Sequence, residues 1–246
     1  MREIYLIRHG MPDFPGGARM CLGRTDLPLG LRGRLQAALL GAELGEAGEC
    51  FCSGLIRSRQ TAELMGFASP VIIPGLEEMD AGDWDGLSFD EIRRRWPEYY
   101  ERRGRERSLP PPGGEEFGPA SRRFLTAVKR AAALSRGDII IVSHSSVIQT
   151  LLCTLEGRPF DCARDFELPY GSVTRLRADA SGQMELASWG VPPRPELTAQ
   201  LAERLLEAAE LPEELREHSL AAAGAAMELV CALAGAGICL DETRVY

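Results

Sequence analysis

The chain has 246 residues, a formal net charge of −8, and 45% hydrophobic and 26% charged residues. That length suits one large α/β domain or one domain with a small appendage. The composition is that of a globular protein. The acidic balance argues against general nucleic-acid binding, and no apolar run is long enough to suggest a membrane span. The 7 cysteines are odd in number and scattered, and Cys50-Phe51-Cys52 alternates like a strand, so buried reduced thiols are expected. The opening residues read as a core strand rather than a signal peptide, so a cytoplasmic location is expected.

The first apolar run, Ile4-Tyr5-Leu6-Ile7, stops abruptly at Arg8-His9-Gly10. A buried strand that ends in polar groups presents them at the sheet edge, where open α/β sheets bind ligands. Arg8 offers a planar fork of donors to an anion. His9 can serve as base, nucleophile or metal ligand, and Gly10 allows a sharp turn and close approach. Residues 11–17 are dense in turn formers and predict a loop. A helix is expected over 31–47, with Leu35, Leu39, Leu40 and Leu44 on one side. A second strand over 49–53 leads into a helix reaching Phe67, and a third strand follows over 71–73.

Residues 76–86 hold too many carboxylates and glycines for a core. A helix over 88–96 has Ser88 as its N-cap and Glu91 completing a capping box. Residues 104–114 predict a charged, proline-rich, mobile loop near the site. A long helix over 115–136 precedes the clearest strand, 138–143, which is apolar on both faces and therefore central. It runs into His144-Ser145-Ser146 and a helix to Leu155. Strands near 172–177 and 184–189 close the sheet. The alternation predicts an α/β three-layer sandwich, a mostly parallel central sheet flanked by helices, with a short helical C-terminal appendage.

That appendage is marked by charge. From Glu196 onward ten acidic residues face three basic ones, whereas the first 195 residues carry 26 acidic and 25 basic. The expected division is a main domain over 1–195 and a tail over 196–246, with helices over 196–211 and 212–236.

The chain has 3 histidines, and two of them, His9 and His144, directly follow buried strands. Arg8 and Arg57 sit in strand-to-helix positions, and Glu78 lies in the acidic loop. In a parallel sheet all five positions can share one edge. Phosphoryl transfer needs such a set: fixed donors for charge, a nucleophile that divides the reaction, and a carboxylic acid that moves the proton.

Four segments, Arg8-His9-Gly10, Ser53-Gly54-Leu55-x-Arg57-Ser58-x-x-Thr61, Glu78-x-x-x-Gly82-x-Trp84-x-Gly86 and Ser143-His144, resemble the histidine phosphatase superfamily in content and order. Gly23-x-x-Asp26-x-Pro28-Leu29 and Pro112-Gly113-Gly114-Glu115 resemble further family segments. The resemblance covers roughly residues 1–190. It implies that His9 is the nucleophile forming a phosphohistidine, that Arg8, Arg57 and His144 hold the phosphoryl oxygens, and that Glu78 is the proton donor. Glu77 is then a solvated neighbour or a substrate contact. The family needs no metal or other cofactor, and no spare cluster of ligand spacing is present. Its partner is a small-molecule phosphate ester.

One departure stands out. Where the family usually has Thr two residues after the glycine, and often an Asn further on, this chain reads Met11-Pro12-Asp13. Pro12 cannot donate, and Asp13 would repel a phosphate unless Arg19 or Arg24 offsets it. The expected substrate-binding set is thus Arg8, Gly10, Arg24, Arg57 and His144. The short stretch between Glu78 and His144 resembles α-ribazole phosphatase and broad-specificity phosphatases; the phosphoglycerate mutases carry a longer insertion there. A phosphatase of a small phosphomonoester, α-ribazole phosphate or a sugar phosphate, is expected ahead of a mutase or an inactive phosphate-binding scaffold. In the tail, His218 and its surroundings resemble the opening of an HD domain without its His-Asp pair. A truncated second domain or an appendage for packing or homodimerisation is the expected reading.

Overall fold

The computed structural model of the chain describes residues 1–45, 48–195, 198–210, 212–219 and 221–222. Strands β1 (Arg2–Arg8), β2 (Glu49–Cys52), β3 (Val71–Ile72), β4 (Ile139–Ser143), β5 (Val173–Ala178) and β6 (Met184–Val191) form one sheet in the order β3-β2-β4-β1-β5-β6. β3, β2, β4 and β1 pair in parallel, and only β5 runs against the other strands. The helices are α1 (Leu31–Leu44), α2 (Ile56–Leu64), α3 (Phe89–Arg95), α4 (Pro97–Arg105), α5 (Phe117–Leu134), α6 (Ser145–Leu155) and α7 (Ala199–Ala209).

Strand alternation creates the three layers. Ile4, Leu6, Phe51, Ile139 and Ile141 face one side and pack with Phe124 and Val128 of α5 and Ile148 and Leu151 of α6. Ile7, Cys50, Cys52, Ile140 and Val142 face the other and meet Leu40 of α1 and Ala62 of α2. Each fully buried aliphatic side chain of this kind contributes about 1.5–3 kcal/mol. β4 is buried at all five positions because it lies between two parallel neighbours under both helical layers.

Several local expectations change. Ser88 caps α3 by accepting from the Glu91 N–H at 3.2 Å, but the Glu91 carboxylate turns to Arg94 and Arg95, so the capping box is only half formed. After Trp96 the chain enters α4, a second helix that the reading up to Trp96 did not include. Pro97 sits at its first turn, where a missing N–H costs nothing. The 106–114 loop is tied down: Tyr99 Oη donates to Pro110 O at 2.8 Å, Asp83 N to Pro112 O at 2.9 Å and Ser108 N to Asp161 Oδ1 at 2.9 Å. Cys50, Cys52 and Cys153 are buried free thiols, whereas Cys21 and Cys162 are partly exposed.

In the tail, α7 lies on α1. It buries Leu201 and Ala208, Arg34 Nε donates to Ala208 O at 2.6 Å, and Arg204 donates to Met65 O at 3.1 Å. Residues 213–219 are helical and include His218. Residues 221–222 are helical too; residue 220 and the helix expected over 223–236, and with them most of the HD-like reading, lie outside the described residues.

Candidate active site

β1 and β4 pair in parallel with Arg8 opposite Ser143 as the last matched residues. The next residue on each strand is a histidine. His9 and His144 therefore leave the same edge side by side, with ring centroids 4.9 Å apart. β2 matches Cys52 to Val142 on the other side of β4, which delivers Ser53 and then α2 with Arg57 to that edge. Tertiary pairing thus joins segments far apart in sequence.

His9 is 5% exposed. Its Nδ1 faces its neighbour's carbonyl, Gly10 O, at 2.7 Å, and its Nε2 accepts from Arg57 Nε at 3.3 Å. These partners assign the proton to Nδ1 and leave the Nε2 lone pair as the reactive one. Burial, then the charges of Arg57 and Arg8, push the ring well below the ordinary histidine range, so it stays neutral and nucleophilic.

Arg57 is almost fully buried. Its terminal nitrogens donate to Thr25 O at 2.8 Å and Gly23 O at 2.9 Å. That Gly23–Thr25 turn is itself held by Asp85, whose carboxylate accepts from the N–H groups of Gly23, Arg24 and Thr25 at 2.8, 2.9 and 2.8 Å. Arg8 donates to Leu168 O at 2.5 Å and stacks on the Tyr170 ring, 3.6 Å from its centroid. Burial lowers both arginines from their ordinary value, but a guanidinium stays charged.

His144 is fully buried and caps α6. Its Nε2 lies 2.7 Å from Ser53 Oγ, which also accepts from Leu55 N at 3.4 Å. The hydroxyl can donate to Nε2 or accept from it, since it has two acceptor lone pairs besides its proton. Nδ1 is buried and without a protein partner. Burial, followed by Arg57 and His9, also pushes this ring well below the ordinary range.

Glu78 is 7% exposed at the start of α6. Oε1 accepts from Met79 N at 2.9 Å and Val147 N at 3.0 Å, whereas Oε2 accepts only from Ser146 N at 3.0 Å. Oε2 therefore keeps a free lone pair for proton transfer.

Arg8, His9, Arg57 and Glu78 border a cleft of about 460 Å³ that Trp84 and Tyr170 also line, while the His144 ring lies behind His9, outside the lining. Five arginines line it, Arg8, Arg19, Arg57, Arg103 and Arg164, against the single carboxylate of Glu78. Such donors can hold a phosphoryl group, His9 can attack it, and Glu78 can move the proton. Among the described residues, no three His, Cys, Asp or Glu side chains gather as a metal-binding group.

Not every sequence-predicted site residue reaches the cleft. Arg24 is largely exposed and turns to Glu77, 3.8 Å away. Glu77 accepts from Gly75 N at 2.8 Å and also lies 3.8 Å from Arg123, so it belongs to a supporting network. Gly10 serves through backbone: its N–H donates to Thr61 Oγ1 at 3.0 Å. A Cβ there would stand 2.3 Å from Gly33 O, so only glycine fits. Pro12 and Asp13 turn away to pair with Leu29 and Pro28, and Arg19 lines the cleft at that side instead. The expected repulsion by Asp13 is thereby removed from the cleft.

Reading the sequence missed Tyr170, Arg103, Arg164 and the anchoring role of Asp85. Tyr170 carries no motif; it arrives because Gly171 N donates to Arg8 O at 3.1 Å as the chain enters β5. Asp85 lies between Trp84 and Gly86 of a family-like segment with no signal of its own. Arg103 lies one residue before the 104–114 stretch read as a loop near the site.

Residues 4–192 match the family model described as histidine phosphatase superfamily, branch 1. The chain is 30% identical over 200 residues to a 2,3-bisphosphoglycerate-dependent phosphoglycerate mutase of Methylobacterium radiotolerans, covering 73% of this chain and 92% of the relative. It is similar in structure to a mycobacterial glucosyl-3-phosphoglycerate phosphatase (TM-score 0.67, 25% identity, 78% of this chain and 100% of that one). It is also similar to the α-ribazole phosphatase of Shigella flexneri (TM-score 0.67, 25% identity, 80% and 100%). With sheet order, cleft and family model in agreement over that span, the chain belongs to the histidine phosphatase superfamily.

Proposed function

We propose that the protein is a phosphoric monoester hydrolase that works through His9 without a metal. The observation that carries this reading is the state of His9: neutral, proton held on Nδ1 by Gly10 O, and Nε2 lone pair facing a cleft rich in guanidinium.

Arg8, Arg57 and the His144 imidazole hold the non-bridging oxygens and meet the charge that spreads over them. His9 Nε2 attacks phosphorus, forming the P–N bond as the ester P–O bond breaks. Glu78 Oε2 gives its proton to the departing oxygen. The product alcohol leaves and water enters. Glu78, now a carboxylate, takes a proton from that water as its oxygen attacks phosphorus and the P–N bond breaks. Inorganic phosphate and neutral His9 result, and Glu78 again carries its proton.

The substrate class we favour is α-ribazole phosphate or a sugar phosphate, supported by the likeness to the two phosphatases above. A mutase reading has the support of the Methylobacterium relative; it would require retention of the phosphoryl group and a bisphosphate primer. The deciding experiment is hydrolysis of an aryl phosphate in excess chelator by wild type and His9→Ala, with protein quenched in alkaline denaturant and examined for an alkali-stable, acid-labile phosphoryl adduct. Chelator-resistant turnover and an adduct, both lost in His9→Ala, are expected. Turnover untouched by the substitution would overturn the reading. Turnover only with a bisphosphate primer would shift it to the mutase.

A further inference from the structure

The cleft holds more positive charge than one phosphoryl group uses. Arg8, Arg57 and His144 account for the reacting phosphate, which leaves Arg19, Arg103 of α4 and Arg164 in the short 160–165 turn after α6; of these, Arg103 and Arg164 stand near enough for the charge of one to act on the other. Their neighbours are paired: Arg102 with Glu106 at 2.9 Å, Arg107 with Asp165 at 2.9 Å and Arg158 with Asp165 at 2.8 Å. Arg103 and Arg164 have no acidic partner among the described residues, although Asp161 and Asp165 stand on the same turn as Arg164.

The surrounding wall is also short of acceptors. Arg103 Nε is buried without a partner, and so is the indole Nε1 of Trp84, whose ring lies 5.4 Å from the Arg103 guanidinium carbon. Both groups are donors only. Burial and the nearby charge of Arg164 bring Arg103 down to about 10, the direction expected of two cations held together with no anion between them. Leaving such donors unmatched is costly, and an acceptor-rich ligand relieves it. Trp84 and Tyr100 supply apolar walls beside them.

We propose that Arg103 and Arg164 form a subsite for a second anionic group on the substrate, so that the preferred phosphomonoesters carry a carboxylate or a further phosphate. The inference rests on the phosphatase reading above and shifts its substrate class toward two-anion esters such as sugar bisphosphates and away from α-ribazole phosphate, which has no second anionic group. It also assigns a role to α4: its aromatic contacts with Trp84, through Tyr99 and Tyr100 at centroid distances of 6.0 Å, fix Arg103 over the cleft.

The test compares kcat/KM for three esters, an aryl phosphate, a carboxylate-bearing phosphoglycerate and a sugar bisphosphate, in wild type, Arg103→Gln, Arg164→Gln and the control Arg102→Gln. Wild type is expected to prefer at least one two-anion ester. Its preference over the aryl phosphate should fall about 10- to 100-fold in Arg103→Gln and Arg164→Gln, the loss expected for charge-assisted contacts. It should hold in Arg102→Gln. Loss on the phosphoglycerate alone assigns a carboxylate, and loss on the bisphosphate alone assigns a phosphate. An unchanged preference, or no preference in wild type, would overturn the subsite. Calorimetric binding of the same two-anion ligands to His9→Ala, with and without Arg103→Gln, reads the subsite without turnover. Affinity that does not depend on Arg103 there also overturns it. Failure of the phosphohistidine route shows separately, as turnover that survives in His9→Ala.

Discussion

Asp85 and Arg57 grip opposite sides of the same turn. Asp85 accepts the three N–H groups of Gly23, Arg24 and Thr25, while Arg57 donates to the carbonyls of Gly23 and Thr25. Asp85 thus positions Arg57, the arginine proposed to hold the phosphoryl group, through backbone. Asp85→Ala should lower kcat/KM about 10-fold or more, because bonds to a charged acceptor contribute about 1.5–3 kcal/mol each. Asp85→Asn, which keeps one acceptor oxygen, should recover part of the loss. A purely structural role would lower melting temperature in both variants without moving the ratio of kcat to KM.

Glu78 is expected to matter in proportion to the need for a proton. General acid catalysis contributes about 10²- to 10⁴-fold, so Glu78→Gln should lose that much on an alkyl phosphate. With a nitrophenolate leaving group, which departs without a proton, the first step should be far less affected. Equal losses on both esters would argue that Glu78 acts only as the cap of α6.

The two buried imidazoles make stability depend on pH. Folded His9 and His144 bind protons only well below the ordinary value of 6.5, whereas the unfolded chain binds them as pH falls through 6.5. The unfolded state therefore takes up more protons in that window, and stability is full above it and lost toward acid. The slope is at most about 1.4 kcal/mol per pH unit for each ring. Urea midpoints measured between about pH 7.5 and about pH 5 should fall for wild type and flatten in His144→Gln. A wild-type slope no steeper than that of the variant would refute the buried neutral pair.

Gly33 does not line the cleft, yet it should be intolerant. A Cβ there would stand 2.1 Å from Met11 O, against backbone that cannot yield cheaply. Gly33→Ala should cost about 1–3 kcal/mol and displace the loop that follows His9. Both a lower melting temperature and lower turnover are expected; a normal kcat in a destabilised protein would separate the two effects.

We further propose that residues 1–195 form the catalytic unit and that the tail supports it. A chain ending at Pro195 should retain turnover and melt at lower temperature, since Leu201 and Ala208 would no longer cover α1. Loss of turnover with an intact fold would instead place the tail in the catalytic arrangement.

The strands themselves, the central place of β4 and the candidate site residues at the strand ends were legible because their signals are local. An apolar run that stops at Arg8-His9-Gly10, or the fully apolar 139–142 run before Ser143-His144, needs no distant partner to be read. α4 was not legible, because Pro97 punctuates the helical pattern and its anchor is an aromatic contact with Trp84 rather than its own periodicity. Tyr170, too, has no local signal; an antiparallel strand pairing brings it onto Arg8.

The amino-acid order was enough to single out His9, Arg8, Arg57, His144 and Glu78, which the fold brings to one sheet edge, since their signal is residue type and position near a strand end. Which arginines face the cleft depended on three-dimensional packing. Arg24 looks suitable in the sequence and is drawn to Glu77; Arg103 and Arg164 look like surface charge and stand unpaired at the cleft. A guanidinium on a long flexible stem goes where carboxylates, carbonyls and aromatic faces pull it, and those partners come from segments that only folding brings near.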